Sequence, residues 1–507
     1  MSCRTTSAGI AVALLLVAAA GGCDSPAAAI AAHSTGDFEG ARREILASSL
    51  EGAKQTERDR LVWLMEEGKI CLDAGDALTA SEALAKASDW CERFAIYEPK
   101  TTISEEMASV AVNPRMRTYR GTYSDRIQVD AYAVLANLWL GRTGQAAVYA
   151  NRVAERQTDA EVEQSRQIAK VEKEIGGYRG GAVKGMVSQV RASQAMRSLG
   201  ASAANGANAA NAAYLDPFAT WICAIAWSAT GESSNLERAR VAFSRAAAMA
   251  PGNTVLAEQA HRNPFETARS RPQVIVLLEA GRCMSLEQIV IPVATPWSGY
   301  NGIPIPVPVE HPCNIAALSI ASAGTGAGGG AGAGSMAAVR TEALSDNDAI
   351  FMAQYDRMLP EIIFRTALMV GAKAGATVAA TQATRDDDDL QLAILLAMSL
   401  YQALTNEADL RSWNSVGKFT QIAQIDRPPD GRAAISVVGD SGAVGPAATV
   451  ELPEGSVVIL YVRSMDAAST LIHAFSIQPP DSVEGRMAPV SVVPAESNAA
   501  VAVRGAS

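Results

Sequence analysis

Residues 61–91, LVWLMEEGKICLDAGDALTASEALAKASDWC, read as two helices folded about a tight turn of Asp73, Ala74, Gly75 and Asp76. On both sides of the turn, apolar residues recur every three to four positions, the period of a helix with one buried face. Gly68 and Cys71 on the first helix and Ala80, Leu84 and Ala87 on the second stand where the two would cross. Mostly small side chains at a crossing let helix axes approach closely, and Gly75 supplies the left-handed residue of the turn.

The same arrangement recurs outward along the chain. Gly36, Asp37 and Ala41 reproduce the turn and the start of a second helix, 39 residues before Gly75. Residues 131–154 turn at Gly141 and place Ala146 and Ala150 on the following helix. Residues 217–251 carry Trp227 on a first helix and Ala239, Phe243 and Ala246 on a second, closed by Pro251. Together these spacings resemble the tetratricopeptide repeat, a helix pair of about 34 residues. The units are not tandem, because 66 residues separate Gly75 from Gly141 and 90 separate Gly141 from Gly231. They predict a layer of helical pairs over residues 34–260, stacked into a curved surface.

Beyond residue 270 the pattern changes. Residues 273–279 form an apolar run ended by Gly281, and 288–293 and 314–321 are further candidate strands. In residues 303–309 every second position is proline. That removes alternate backbone donors, so the stretch is an edge strand or a polyproline segment. The part 271–322 is followed by a Gly/Ala-rich flexible loop, 323–340. Residues 341–409 read as a helical pair. The first helix, 361–384, carries small residues at Ala367, Gly371, Gly375 and Ala379, a seam that suits close helix contact. The second, 390–404, follows an acidic run at 386–389 that caps and charges its N-terminus. Residues 410–475 hold short strands at 419–425, 433–438, 449–452 and 457–462, expected as a small β module packing with 271–322; residues 476–507 read as a disordered tail. The expected fold is mainly α, with tetratricopeptide-like pairs followed by an α+β C-terminal part built on a small, mostly antiparallel sheet.

At the N-terminus, Arg4 precedes eleven apolar residues, 10–20, that end in Ala20, Gly21, Gly22 and Cys23. So short a run cannot span a bilayer, and residues 1–22 read as a signal peptide. Its ending resembles the lipobox of bacterial lipoproteins, although Ala20 stands where Leu is usual. The resemblance implies that Cys23 is lipidated and that residues 23–33 form a tether. Ordinary secretion, with cleavage after Ala20, is the rival reading. Either way the chain is exported; with the lipid it faces the periplasm of the bacterial cell envelope, on the inner or the outer membrane.

A net charge of −10 without a basic block argues against nucleic acid as a partner. Cys71, Cys91 and Cys223 fall on helical patterns as small buried residues, whereas Cys283 and Cys313 flank strands and could pair. Gly439, Asp440, Ser441 and Gly442 echo a serine-protease nucleophile loop, but attack by Ser441 needs a histidine base and oxyanion donors. His33, His261, His311 and His473 sit in no recognisable partner motif, and glycine with aspartate equally suits a hairpin turn. No metal, cofactor or small-molecule substrate is expected.

Residues 59–64 with Glu67 and Gly68, Pro217 with Phe218, 274–281, 407–413, 452–455 and 457–463 resemble an uncharacterised family of bacterial envelope lipoproteins. The resemblance implies tetratricopeptide-like helices before a β-containing region, association with other small envelope lipoproteins, and no catalytic residue to carry over. The expected function is a non-enzymatic, membrane-anchored interaction scaffold. The alternatives are an assembly or pore component acting through the seam at 367–379, and a serine hydrolase at Ser441.

Overall fold

The computed structural model describes residues 26–50, 57–96, 117–177, 180–199, 215–295, 299–322, 338–383, 407–466 and 468–478. Cys23, the acidic run 386–389, the helix expected at 390–404 and the tail beyond 478 lie outside the described residues, as does most of the Gly/Ala-rich loop.

Helical pairs form the first half of the described chain. They are α1 (Ala27–Ser34) with α2 (Phe38–Leu50), α3 (Arg60–Asp73) with α4 (Ala77–Ile96), and α5 (Tyr123–Trp139) with α6 (Thr143–Gly177). After α7 (Gly180–Arg191) and α8 (Gln194–Ser198) comes a fourth pair, α9 (Pro217–Ala229) with α10 (Ser233–Met249). Short helices α11 (Thr254–His261) and α12 (Pro264–Ala268) lead into the strands.

One device closes the turns inside these pairs. Gly36, Gly75, Gly141 and Gly231 have φ of 80°, 93°, 69° and 69°. After three of them the next amide reaches back into the helix: Asp37 N to Ala32 O at 3.1 Å, Asp76 N to Cys71 O at 2.8 Å, and Arg142 N to Asn137 O at 2.8 Å. This is the Schellman bond, which satisfies carbonyls that the helix end leaves open. Asp37 and Asp76 then cap the following helix, accepting from Gly40 N at 2.9 Å and Thr79 N at 3.1 Å.

The repeat-packing positions behave according to their place. Ala41, Ala80, Ala87, Ala146, Ala239, Phe243 and Ala246 are buried. At Gly68 a Cβ would meet Leu84 Cγ at 2.6 Å, so the α3–α4 crossing has no room for a side chain there. Gly141 is exposed and serves its turn, and Pro251, also exposed, stops α10 rather than packing.

The strands form two sheets and a ribbon. A five-stranded sheet has the order β11-β10-β1-β7-β6, with β1 (Gln273–Ala280), β6 (Glu342–Asp346), β7 (Phe419–Asp426), β10 (Val457–Asp466) and β11 (Ser469–Ile477). Only its β1–β10 pair is parallel. A four-stranded antiparallel sheet has the order β5-β4-β8-β9, from β4 (Ile315–Ser322), β5 (Val339–Arg340), β8 (Arg432–Gly439) and β9 (Ala448–Glu451). The ribbon pairs β2 (Ser285–Thr295) with β3 (Gly299–Val309).

Alternation along the central strands sorts their side chains into two cores. Val274, Val276 and Leu278 of β1 and Val458, Leu460 and Val462 of β10 face the four-stranded sheet. Ile275 and Leu277, with Val457, Ile459 and Tyr461, face the helices. Helices, central sheet and second sheet are therefore three layers. The ribbon and α13 (Asn347–Ala383) pack separately with α7, through Ile305, Val307, Leu359, Ile363 and Val190. In β3 the amides of Ile303, Ile305 and Val307 must serve β2, because Pro304, Pro306 and Pro308 have none. The prolines therefore seal the outer edge, and the outward carbonyl of Pro306 accepts the Tyr355 hydroxyl at 2.8 Å. The proline-rich stretch is an edge strand.

Several boundaries are corrected. Residues 23–33 are not all tether, since the Ala-rich run from Ala27 is helical and docks through Ala29 and His33. The flexible loop does not extend to 340, because Val339–Arg340 is β5. The part 341–409 opens with a strand, β6, and its helix starts at Asn347 and runs through Pro360. Losing one backbone bond there is offset by burial of Leu359, Ile363 and Phe364. Strand β11 adds a pairing that the sequence did not announce, and it takes two residues from the expected tail. The layer over 34–260 is not a separate domain, because its core is continuous with one face of the central sheet. Cys283 and Cys313 are free thiols, so they do not pair.

Gly75 tests this docking. A Cβ there would meet His473 Cε1 of β11 at 2.7 Å. Gly75→Ala adds that clash to the roughly 1–2 kcal/mol cost of a left-handed alanine. The urea midpoint should fall by at least that equivalent at unchanged slope; an unchanged midpoint would mean that the turn does not press on the sheet.

Candidate functional site

The densest meeting of charges lies between α3 and the central sheet. Helix spacing puts Glu66, Lys69 and Asp73 on one face of α3. From the sheet, alternation brings Glu279 of β1 and Tyr461 and Arg463 of β10 to the helix side, with Glu279 paired to Arg463 across the parallel ladder. All six are at most 1 % exposed.

Lys69 Nζ lies 2.5 Å from Asp73 Oδ1 and 3.1 Å from Glu279 Oε1. Arg463 Nε donates to Asp73 Oδ2 at 3.1 Å, and His33 Nε2 meets the same oxygen at 2.7 Å. The Tyr461 hydroxyl sits 2.6 Å from Asp73 Oδ1 and 2.8 Å from Glu279 Oε2, so its one proton serves either carboxylate in turn. Tyr132 Oη at 3.0 Å and Gly417 N at 2.6 Å donate to Glu279 Oε1. Beside the cluster, Glu66 accepts from Asn414 N at 2.6 Å and Ser415 N at 3.1 Å.

Two cations, Lys69 and Arg463, thus balance two carboxylates, Asp73 and Glu279, with His33 neutral. Burial alone would raise Asp73, but Lys69, Arg463 and the His33 hydrogen bond outweigh it and hold its carboxyl well below the usual range. Burial lowers His33 to about 4, despite the opposing pull of Asp73. Burial also raises Glu66, against its amide donors. Sealed from water, these groups can fasten layers but cannot reach a substrate.

The open site is elsewhere. Helix α9 packs on both α6 and α10, and above it the two part to leave a cavity of about 540 Å³. Thr220, Cys223 and Trp227 make its floor. Val153, Ala154, Glu155 and Gln157 line the α6 wall, and Glu237, Arg238, Val241, Ala242 and Arg245 line the α10 wall. Asn151 Oδ1 pins one end, accepting from Trp227 Nε1 at 3.1 Å and Arg238 Nη1 at 2.8 Å. The lining is mainly apolar, and Val241 is 54 % exposed.

Other sequence candidates fall apart in space. Ser441 lies in an exposed turn, where its hydroxyl accepts from Ala443 N at 3.5 Å. A serine–histidine contact does occur, at 2.9 Å, between Ser285 and His311. There burial, with the charges of Arg282 and Lys418, lowers His311 to about 4, making it a weak base for a serine proton. Gly371 and Ala379 of the small-residue seam are exposed. Among the described residues no group of three or more His, Cys, Asp or Glu could hold a metal, and no helix is long and apolar enough to cross a membrane.

Neither the charge cluster nor the cavity was named from sequence. The available signals were Lys69 and Asp73 four apart on a helix, and a charge, Glu279 or Arg463, at the end of an apolar strand.

Asp73→Ala strands Lys69 and Arg463 with one carboxylate between them, and should cost about 3–5 kcal/mol in urea unfolding; a loss below about 1 kcal/mol would reject the cluster as the fastening. For His33 the unfolded chain binds a proton near 6.5 and the folded chain near 4. Its contribution is therefore complete above pH 6.5 and declines as pH falls towards 4, by about 3 kcal/mol. NMR titration should place the His33 midpoint near 4, with hydrogen exchange in α1, corrected for intrinsic rates, rising over that window; a midpoint near 6.5 contradicts the burial.

Comparison with known protein families, curated proteins and solved structures finds no match to this chain.

Proposed function

We propose that this chain is a non-enzymatic interaction scaffold of the bacterial cell envelope, held to a membrane by a lipid on Cys23 and binding a segment of another envelope protein through its helical layer. The observation that carries the reading is the apolar cavity over α9, which leaves a valine more than half exposed on paired helices. The sealed charge cluster suits the same reading, because a platform needs its layers fixed.

The start of α1 at Ala27 sharpens the anchor. Only three residue steps separate Cys23 from Pro26, a reach of about 11 Å at roughly 3.3–3.6 Å each. A lipid on Cys23 would therefore hold α1, and the layer behind it, against the membrane surface. The partner is then membrane-bound or adjacent to one. A second reading, assembly through the seam of α13, draws on Gly371, which is exposed with open space where a Cβ would stand.

Cys23→Ala should abolish acyl labelling and release the chain into the soluble fraction. Crosslinking of the wild-type chain in membranes, followed by mass spectrometry, should capture an envelope protein only when residues 34–260 are intact on their surface. Unchanged fractionation removes the anchor, and no capture from that layer removes the scaffold.

A further inference from the structure

The cavity over α9 has a shape and a charge pattern that specify what fills it, if the scaffold reading holds. Helices α6 and α10 both pack on α9 but scarcely on each other, so the three form a trough with its fourth side open. Every wall is helix, and the backbone amides and carbonyls there are already spent on their own turns. An extended segment laid in the trough would find no ladder to join and would bury its own amides unpaired. A helix satisfies its backbone internally and brings only side chains.

Size agrees. A cavity of about 150 Å³ holds one benzene ring. The 540 Å³ over α9 therefore takes three or four side chains of that bulk. That is the number an amphipathic helix presents on one face over about two turns.

The two walls differ in charge. Along α10, Arg238, Val241, Ala242 and Arg245 form one stripe beside Glu237, with the arginines seven residues, or about 10.5 Å, apart. Arg238 is tied to Asn151 and Glu237 to Arg240, whereas Arg245 has no ion pair or hydrogen bond among the described residues. On α6, Glu155 is likewise exposed without a partner among them.

We propose that the trough takes one amphipathic helix of a partner protein, two to three turns long. Its three or four apolar side chains cover Trp227, Val241 and Ala242, its carboxylates face Arg245, and a lysine or arginine faces Glu155. The helix completes a four-helix arrangement around α9.

The probe is a designed, end-capped 18-residue helical peptide with a leucine stripe bordered by Glu on one side and Lys on the other. A second peptide carries proline at its centre. The full-length lipidated chain in detergent should bind the first and not the second. Arg245→Glu should weaken binding about fivefold at low salt, and Val241→Asp more than tenfold, with thermal midpoints unchanged. Equal binding of the proline peptide, or no effect of Val241→Asp, overturns the proposal. In membranes, a photo-crosslinking residue at position 241 should capture a partner segment with that apolar and charged pattern, and one at exposed Leu78 serves as reference. Capture at 78 but not at 241, or capture of a second copy of this chain at 241, rejects the helix partner and leaves the scaffold standing. Capture at neither position rejects the helix partner, and the scaffold reading falls with it when the rest of the layer 34–260 captures nothing either.

Discussion

Asp73 is the fixed point of this fold. Its two oxygens meet Lys69 on its own helix, Tyr461 and Arg463 on β10 and His33 on α1, and its carbonyl meets His473 Nε2 of β11 at 3.0 Å. Taking ions out of water costs several kcal/mol each, and only close geometry with every partner present offsets that. An arrangement that shifted α3 by one turn, or β10 by one residue, would leave two to four buried charges unmatched. The cluster therefore contributes less net stability than its number of contacts suggests, but it penalises misdocking heavily.

The seating of helices on sheet ties together parts of the chain that are far apart in sequence. The cluster draws on positions 33, 69, 73, 279, 461 and 463, so neither the helical layer nor the sheet can complete its core without the other. Hydrophobic burial follows the same division. On β1 and β10 alternate residues go to the helices and to the second sheet, which makes these two strands largely apolar on both faces, with Glu279, Tyr461 and Arg463 placed on the helix side to meet α3. A polar residue on a doubly buried strand is costly unless matched, and here the match is a helix face carrying the opposite charges.

What was legible in the sequence was local. The glycine turns, the helix pairs and most strands depend on residues within a few positions of one another, and Gly36, Gly75 and Gly141 take the left-handed geometry their setting implies. The docking was not legible, because Lys69 and Tyr461 are 392 residues apart and neither carries a local mark of the other. Two smaller misses have local causes. The sequence reading starts a helix only after Pro360, at 361, yet the buried face around the proline carries α13 through from Asn347. Residues 27–33 lack a strong amphipathic pattern, and α1 joins the body through buried Ala29 and the distant His33–Asp73 contact. The cavity over α9 was hidden for a third reason: it is a gap between α6 and α10, and a sequence records what each helix presents, not where two of them part.

The same geometry constrains how such a layer can bind. In a free-standing stack of helical pairs both faces are available, but here one face is spent on the central sheet. Binding surface remains at the outer sides of the pairs and in gaps such as that over α9, where α6 and α10 are each held by α9 rather than by one another. Because the floor residues Thr220, Cys223 and Trp227 are buried and α9 is capped by Asp216, itself bonded to Gln128 and Ser345 in the same core, the trough is preformed rather than assembled on contact. A preformed site avoids much of the ordering cost of association, so modest apolar area suffices for a useful affinity. The charge cluster and the trough are thus linked through one core: the first fixes the helical layer on its sheet, and the second uses the rigidity that results.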